Sequence, residues 1–292
     1  MIQTQIETLT KKKITEIDFP EIDKLISTLS SDLNNGKITK KEILTMNQSF
    51  GQEFLENTIQ GHGLRKPFGY SGDFLMIDKI YTFHTSPIEK FKIWDEYFHL
   101  QSAPKAVRNR KDYFKKIIKE KLNKYKKMNL MNVASGPARD LFELYEENKN
   151  CELNTVCIEM DENAIKYAEN LNLKYLNKIS FVHKNIFRHK EESKFDVIWS
   201  AGLFDYFDEK SFVLMLKKFK EWLNDNGEII IGNFNEDHNP SRDYMEILGD
   251  WHLHHRTEIE LKELAEKAGF NPNQIIIGKE KENVNLFLHI KN

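Results

Sequence analysis

Asn132-Val133-Ala134-Ser135-Gly136-Pro137-Ala138 closes a short apolar run, Leu130–Val133, and leads into an amphipathic one, Leu141–Glu147. Small residues at such a junction let the backbone turn sharply and approach a ligand closely. The start of the helix beyond it favours a carboxylate or phosphate. The same exchange repeats outward. Thr155–Ile158 is followed by Asn163–Asn170, then come Ile179–Val182, Val197–Trp199, Phe212–Leu223 and Glu228–Ile231. Short apolar runs alternating with helical ones predict a parallel sheet covered on both faces, an α/β fold. The ending differs. Glu258–Ala268 reads as a helix closed by Gly269, and Gln274–Ile277 and Asn285–Ile290 read as a hairpin of two strands.

Residues 1–18 are polar and read as a loosely held lead-in. From Glu21 the spacing of Ile22, Leu25, Ile26 and Leu29 predicts a helix, broken at Asn34-Asn35-Gly36. Thr39 can cap a second helix carrying Ile43, Leu44, Phe50, Phe54 and Leu55. Gly61–Asp73 holds four of the thirteen glycines and reads as a loop. Helical signals return over Phe74–Tyr81, Pro87–Leu100 and Ala106–Lys127. The expected division is a helical region over residues 1–127 and a sheet domain over residues 128–292.

Composition narrows the function classes. The chain has 292 residues, with 43 basic against 45 acidic side chains and a net charge of -2. That balance argues against a dedicated DNA or polyanion binder. No apolar run reaches the length of a membrane span. No secretory leader is visible behind Lys11-Lys12-Lys13. Cys151 and Cys157 make neither a disulfide framework nor a zinc quartet. These readings point to a soluble, cytoplasmic protein.

The strand tips carry the site signals. Glu159 ends the second strand, where an acid can accept both hydroxyls of a ribose. Asp161 is a near alternative, and it can equally cap the helix that follows. Lys184-Asn185-Ile186 ends the third strand and suits the edge and face of an adenine. Ser200-Ala201-Gly202-Leu203-Phe204-Asp205-Tyr206 follows the fourth. This succession resembles the class I S-adenosylmethionine (SAM) dependent methyltransferases over residues 129–292. Asn132–Ala138 matches their acidic-x-Gly-x-Gly-x-Gly loop with Asn132, Ala134 and Ala138 as departures. Alanine is the smallest change from glycine, so the loop persists if its dihedrals are ordinary. The resemblance implies a Rossmann-like class I methyltransferase sheet, SAM as cofactor and a helical N-terminal lid. It implies cofactor contacts from Tyr70, Asp73, Ala134, Ser135, Gly136, Pro137, Glu159, Met160, Asn185, Ile186, Ser200 and Ala201. The nearest rival, a nicotinamide dinucleotide domain, would place a fuller Gly-x-Gly-x-x-Gly in the first loop and would not require the hairpin.

A narrower resemblance rests on Arg65–Asp73, Ala106–Arg110, Gly136–Asp140 and Asp250–Thr257. These segments look like a bacterial subgroup that includes enzymes making 3-hydroxypalmitic acid methyl ester. It implies a small-molecule acceptor bearing an acyl chain or carboxylate. Trp251-His252-Leu253-His254-His255-Arg256 gathers three of the ten histidines. Arg256 can grip a carboxylate through two parallel bonds, and His252, His254 or His255 can act as base or donor. Tyr206 can line the acceptor pocket. The alternative is that this segment is a plain connection with solvated or packed histidines. A metal site lacks further ligands beyond His238, and none is expected. Tyr70 and Asp73 can face the cofactor, with Arg65 and Lys66 attracting an acidic substrate; alternatively Asp73 only caps the next helix. Arg108, Arg110, Lys111, Lys115, Lys116 and Lys119 make one helix basic. It is either a solvated face or a platform for an acyl carrier, a lipid surface or RNA. An RNA methyltransferase and a non-catalytic SAM-binding module are the readings from other classes. Against the former, the tetrad Ser200-Ala201-Gly202-Leu203 differs from an Asn-Pro-Pro-Tyr motif.

Overall fold

The computed structural model describes residues 14–125 and 127–292. The lead-in read over residues 1–18 therefore falls largely on residues 1–13, outside the described residues; Ile14, where the description begins, is buried.

Seven strands form one sheet: β1 Lys127–Val133, β2 Glu152–Glu159, β3 Ile179–His183, β4 Phe195–Ser200, β5 Leu223–Phe234, β6 Ile275–Lys279 and β7 Asn285–Lys291. Their order is β3-β2-β1-β4-β5-β7-β6. The first five run parallel, and β7 is antiparallel to both β5 and β6. The expected α/β sheet with its terminal hairpin is present. Strand order reverses between β1 and β4, the switch point where open sheets of this kind take ligands.

Alternation along the strands builds two cores. Met128 and Leu130 face the helices Ser102–Lys124 and Arg139–Glu147, and pack with Phe114, Leu141, Leu144 and Trp199. Met131 and Val133 face the other side, with Phe212, Phe219, Leu261 and Leu288. A strand buried on both faces is mostly apolar, which is why β1 and β4 read as apolar runs; the exceptions at their tips, Asn132 and Ser200, are buried polar residues.

β5 begins earlier than the apolar run indicates. Leu223 pairs with Phe195, and the register then shifts before Glu228 meets Val197. Asn226, at φ 62°, lies in the intervening segment. Bulged chain of this kind has no apolar signature.

The chain forms two compact units. One contains the residues up to Lys105 together with Pro240–His252; the other contains Ala106–Asn239 and Leu253–Asn292. The break therefore does not fall at residues 127/128. Phe114 and Ile118 of the helix Ser102–Lys124 belong to the sheet core. In the other unit, Ser30 donates to Asp243 at 2.7 Å and Asn47 donates to the Ile247 carbonyl at 2.7 Å, so residues 240–252 belong to the helical part. Two of its helices match their sequence signals closely. Thr39 and Glu42 form a capping box at Lys40–Gln48, and Phe74–Tyr81 has the expected limits. The second helix stops at Gln48, and Leu44 is exposed rather than packed.

The presumed loop Gly61–Asp73 is partly helical. Ile59–Arg65 is a helix capped by Thr58, and a Cβ on Gly61 would lie 2.4 Å from the Leu55 backbone. Gly61 is thus a close-packing residue. Only Gly69 and Gly72, at φ 86° and 66°, need the left-handed freedom expected of the whole run.

The basic helix is largely answered by acids. Lys111 and Lys115 both bind Glu143, at 2.6 and 2.7 Å, and Lys115 also reaches Glu147 at 3.0 Å. On the same helix Lys121 pairs with Glu228, whose Oε1 lies 2.8 Å from His289 Nδ1. Burial opposes ionisation of Glu228, but the bonds from His289 and Lys121 outweigh it and hold the carboxyl at about 2. A depressed carboxyl stabilises the fold above its unfolded value of 4.5, and that stability is lost as pH falls toward the folded value of about 2. Glu228→Gln is expected to cost on the order of 2–3 kcal/mol in urea melts at neutral pH. The gap to the parent protein should narrow steadily below the unfolded value; a gap that stays constant there would contradict this assignment.

Candidate functional site

The loop after β1 adopts an unusual backbone. Ala134, Gly136 and Ala138 all have positive φ, at 54°, 52° and 49°. The condition under which alanine would be an easy replacement, ordinary dihedrals, is not met: both alanines occupy the conformation that glycine would adopt freely. Each costs roughly 1–2 kcal/mol in the left-handed region. Hydrogen bonds hold them there. Ala134 N–H donates to the Ile158 carbonyl at 2.8 Å, Ala138 N–H to the Ser135 carbonyl at 3.0 Å, and Gly136 N–H to Glu159 Oε2 at 2.9 Å. A Cβ on Gly136 would meet nothing within 4 Å, so the loop has an open side there. Pro137 is buried beside it, Ser135 is buried, and the amide nitrogen of Asn132 is buried without a hydrogen-bond partner. The helix Arg139–Glu147 starts directly behind.

Glu159 sits at the tip of β2, half-buried. Its Oε1 accepts the Met160 and Asp161 N–H groups at 2.7 and 3.0 Å, while Oε2 accepts Gly136. Asp161 caps the helix Glu162–Leu171 through Asn163 N–H, the second of its two readings. Met160 is exposed. Asn185 Nδ2 lies 3.3 Å from Met160 Sδ, and its Oδ1 accepts the Phe187 N–H at 2.9 Å. Ile186 is buried beside it. The buried Ser200 donates to the Val133 carbonyl at 3.1 Å, joining the tips of β4 and β1. A Cβ on Gly232 would lie 2.4 Å from the Ala201 carbonyl oxygen, so β5 passes close beneath that residue. Ala134, Ser135, Gly136, Pro137, Glu159, Met160, Asn185, Ile186, Ser200 and Ala201 therefore gather at the carboxyl ends of β1 to β4.

The catalytic candidates separate. Arg256 is 5% exposed. It donates to the Phe204 carbonyl at 3.0 Å, to Asn233 Oδ1 at 2.8 Å and to the Phe207 carbonyl. Its guanidinium lies over the Phe212 ring. Expected as a carboxylate clamp, it instead holds the turn after β4 in place, because buried carbonyls there need its donors. His255 is buried too, its Nε2 2.9 Å from Asn239 Nδ2 and its Nδ1 3.3 Å from the Leu253 carbonyl. Tyr206 is exposed.

His252 falls in the helical unit with Tyr70 and Asp73. Asp73 is buried, caps Phe74–Tyr81 through Leu75 and Met76, and lies 2.8 Å from His62. The helix-cap reading accounts for its contacts. Tyr70 is exposed. The stretch before Asp73 packs on residues 250–252. Lys66 pairs with Asp250, Ser71 donates to the Asp250 carbonyl at 3.2 Å, and a Cβ on Gly72 would meet Trp251 at 2.4 Å. Two stretches singled out separately in the sequence thus meet. His252 is exposed, with its Nε2 3.3 Å from Asp250 and its Nδ1 3.9 Å from Glu246. Arg65 donates to the Leu55 carbonyl at 2.9 Å.

Sequence reasoning missed two carboxylates. Asp140 and Asp205 are buried, and burial pushes both up to about 6. Arg110 counters the shift in each, and Arg256 also does so in Asp205. Asp205 had only the signal of an acid between apolar residues, Phe204-Asp205-Tyr206, and Asp140 only its place in the Gly136–Asp140 segment. Among the described residues, no group of three or more His, Cys, Asp or Glu side chains is placed to hold a metal ion, and no helix is long and apolar enough to cross a membrane.

Comparison with known proteins adds independent findings. Residues 124–282 match a family described as a methyltransferase domain. A protein described as a possible exported protein from Bordetella parapertussis has a similar structure, at 15% identity and TM-score 0.65, over 88% of this chain and 98% of its own. Magnesium protoporphyrin IX methyltransferase from Synechocystis, solved with S-adenosylhomocysteine (SAH), matches at 10% identity and TM-score 0.51, over 65% of this chain and 86% of its own. The pyocyanin biosynthetic protein PhzM matches at 13% identity and TM-score 0.52, over 78% and 64%. At these identities the likeness concerns the fold. None of the curated proteins matches.

The contacts of Arg256 give a prediction. Arg256→Met leaves buried carbonyls and Asp205 without their cation, so it should destabilise the protein by about 3–5 kcal/mol. Tyr206→Phe should leave the melting temperature within about a degree of the parent, since exposed substitutions change stability little. Equal melting temperatures for Arg256→Met and the parent would restore Arg256 as a free substrate ligand.

Proposed function

The chain belongs to the methyltransferase family whose domain its residues 124–282 match, and on that premise we propose that it methylates an oxygen of a small or medium organic molecule. Its methyl donor is SAM, which when bound supplies an electrophilic methyl carbon. The observation that carries the reading is the loop after β1, held open at Gly136 and tied by that residue's N–H to the Glu159 carboxylate.

The residues present suit this cofactor. A carboxylate offers about four acceptor directions. Backbone N–H groups take three at Glu159, leaving capacity for a ribose hydroxyl. Asn185 and Ile186 would flank the adenine. Ala134, Ser135, Pro137, Ser200 and Ala201 would surround the methionine portion, with Met160 at the ribose edge. The unpartnered amide nitrogen of Asn132 supplies a buried donor in the same loop.

Transfer to an oxygen asks two things of the protein. It must align the acceptor with the methyl carbon and exclude water. A carboxylate acceptor needs no proton removed, whereas a hydroxyl needs a base. Tyr206, exposed after β4, is the residue of the sheet unit that we assign to the acceptor. His252 is an exposed imidazole beside Asp250 and can take a hydroxyl proton. Tyr70, exposed on the helical unit, is retained as a candidate on the sequence resemblance alone. Arg256 acts from behind, fixing the turn that carries Tyr206, while His255 is held against Asn239 and the Leu253 carbonyl. Fatty-acid methyl ester formation is the most concrete version, supported by the resemblance of Arg65–Asp73 and Asp250–Thr257 to enzymes of that kind. Nitrogen or carbon acceptors are the alternative. A macromolecular acceptor such as RNA is disfavoured because Lys111 and Lys115 are already paired with acids. A cytoplasmic setting accords with the free thiols of Cys151 and Cys157.

Calorimetry with SAH tests the cofactor site, and Glu159→Ala should weaken binding roughly tenfold or more. Conversion of SAM to SAH should then be followed with a 3-hydroxy fatty acid, an aromatic carboxylate, a phenol and a primary amine. Methyl ester or ether products are expected. Turnover with the amine alone would move the proposal to nitrogen, and no SAH binding by the parent protein would end it.

A further inference from the structure

Arg110 lies on the helix Ser102–Lys124 and is 6% exposed. A buried guanidinium is costly unless anions and acceptors surround it. Two carboxylates meet that need. Asp140 stands in the first turn of the helix that follows the β1 loop, and Asp205 stands in the turn after β4. Both interact electrostatically with Arg110. Its Nη1 also lies 3.4 Å from the Ala201 carbonyl oxygen, and a Cβ on Gly202 would come within 2.8 Å of that nitrogen. Asp205 is anchored in turn. Its Oδ1 accepts the Phe234 N–H at 2.7 Å, and its main-chain carbonyl accepts the His254 N–H at 2.7 Å. Asp140 accepts the Leu141 N–H at 2.9 Å. One side chain therefore touches the backbone after β4 and acts electrostatically on acids on both sides of the switch point.

We propose that Arg110 is a positioning residue for the cofactor site, holding the Ala138–Asp140 helix start and the Ala201–Asp205 turn at the spacing that the methionine portion of SAM requires. The inference rests on the cofactor reading above. Arg110 does not need to touch the cofactor. Its contact with the Ala201 carbonyl and its charge link elements that come from different parts of the chain, as an outer-shell group does for a metal ligand.

Arg110→Met should retain a native far-UV spectrum and a cooperative melt, yet weaken SAH binding roughly tenfold. It should raise the KM for SAM by more than it lowers kcat at saturating SAM, since the guanidinium flanks the cofactor loop and reaches the turn that carries Tyr206 only through Ala201 and Asp205. Gly202→Ala offers a second, gentler perturbation. The added methyl meets the far end of the Arg110 side chain, so the guanidinium yields while the backbone stays. Its effect on SAH affinity should be roughly fivefold with arginine at 110 and nearly absent in an Arg110→Lys background, where the clashing nitrogen is missing. If Arg110→Met fails to fold, this double-mutant cycle carries the test. Parent-like SAH affinity in folded Arg110→Met, or additive effects of Gly202→Ala and Arg110→Lys, would overturn the proposal. Loss of SAH binding by the parent itself would instead remove the cofactor reading beneath it.

Discussion

Between β1 and its helix, three of five residues sit in left-handed conformations, and two of those are alanines. A free chain would not hold this arrangement, since each alanine loses roughly 1–2 kcal/mol there. The sheet imposes it. Val133 pairs with Ile158 in the parallel register of β1 and β2, which brings the Ile158 carbonyl to Ala134 N–H and the Glu159 carboxylate to Gly136 N–H. The start of the Arg139–Glu147 helix, the burial of Asp140 and the open side of Gly136 all follow from that turn. Strain stored at a ligand loop persists only where surrounding contacts over-determine it.

Across the switch point the turn after β4 is held differently, by charge. Arg110 reaches the Ala201 carbonyl, and Arg256 reaches the carbonyls of Phe204 and Phe207. Asp205 lies within the influence of both guanidiniums. A turn without regular structure leaves carbonyls that must be satisfied when buried. Arginine suits this role because its donors point outward in a fixed plane. The same demand accounts for the inward placement of Arg256, which its neighbourhood of histidines had made look like a substrate ligand.

What the sequence disclosed and what it hid follow this division. Buried strands announce themselves, because most side chains of β1 and β4 pack into an apolar core on one face or the other, and Thr39 with Glu42 marks a helix start by local chemistry alone. Glu159 was legible from its place at a strand tip. The dihedrals of Ala134 and Ala138 were not, since they are set by a neighbouring strand. Gly61 and Gly63 looked like loop residues because glycine serves flexible turns and close packing alike; only the nearby Leu55 backbone distinguishes the two. Residues 240–252 join the helical unit through Ser30 and Asn47, contacts about two hundred positions apart in the chain that no local pattern encodes.

Glu159 therefore serves two ends at once. Its carboxylate is both the acid proposed for the ribose and the acceptor that fixes Gly136. A ligand hydroxyl arriving there meets an oxygen already oriented by three backbone donors, so little ordering remains to oppose binding. The same coupling means that the carboxylate cannot be lost without loosening the loop. On the proposed cofactor reading, the rigidity of the Glu159 carboxylate and that of the Gly136 loop are one property of the fold, with β2 as its origin. The β4 side reaches the same rigidity through Arg110 and Arg256, and the two mechanisms meet at Asp140, the first carboxylate beyond the strained turn.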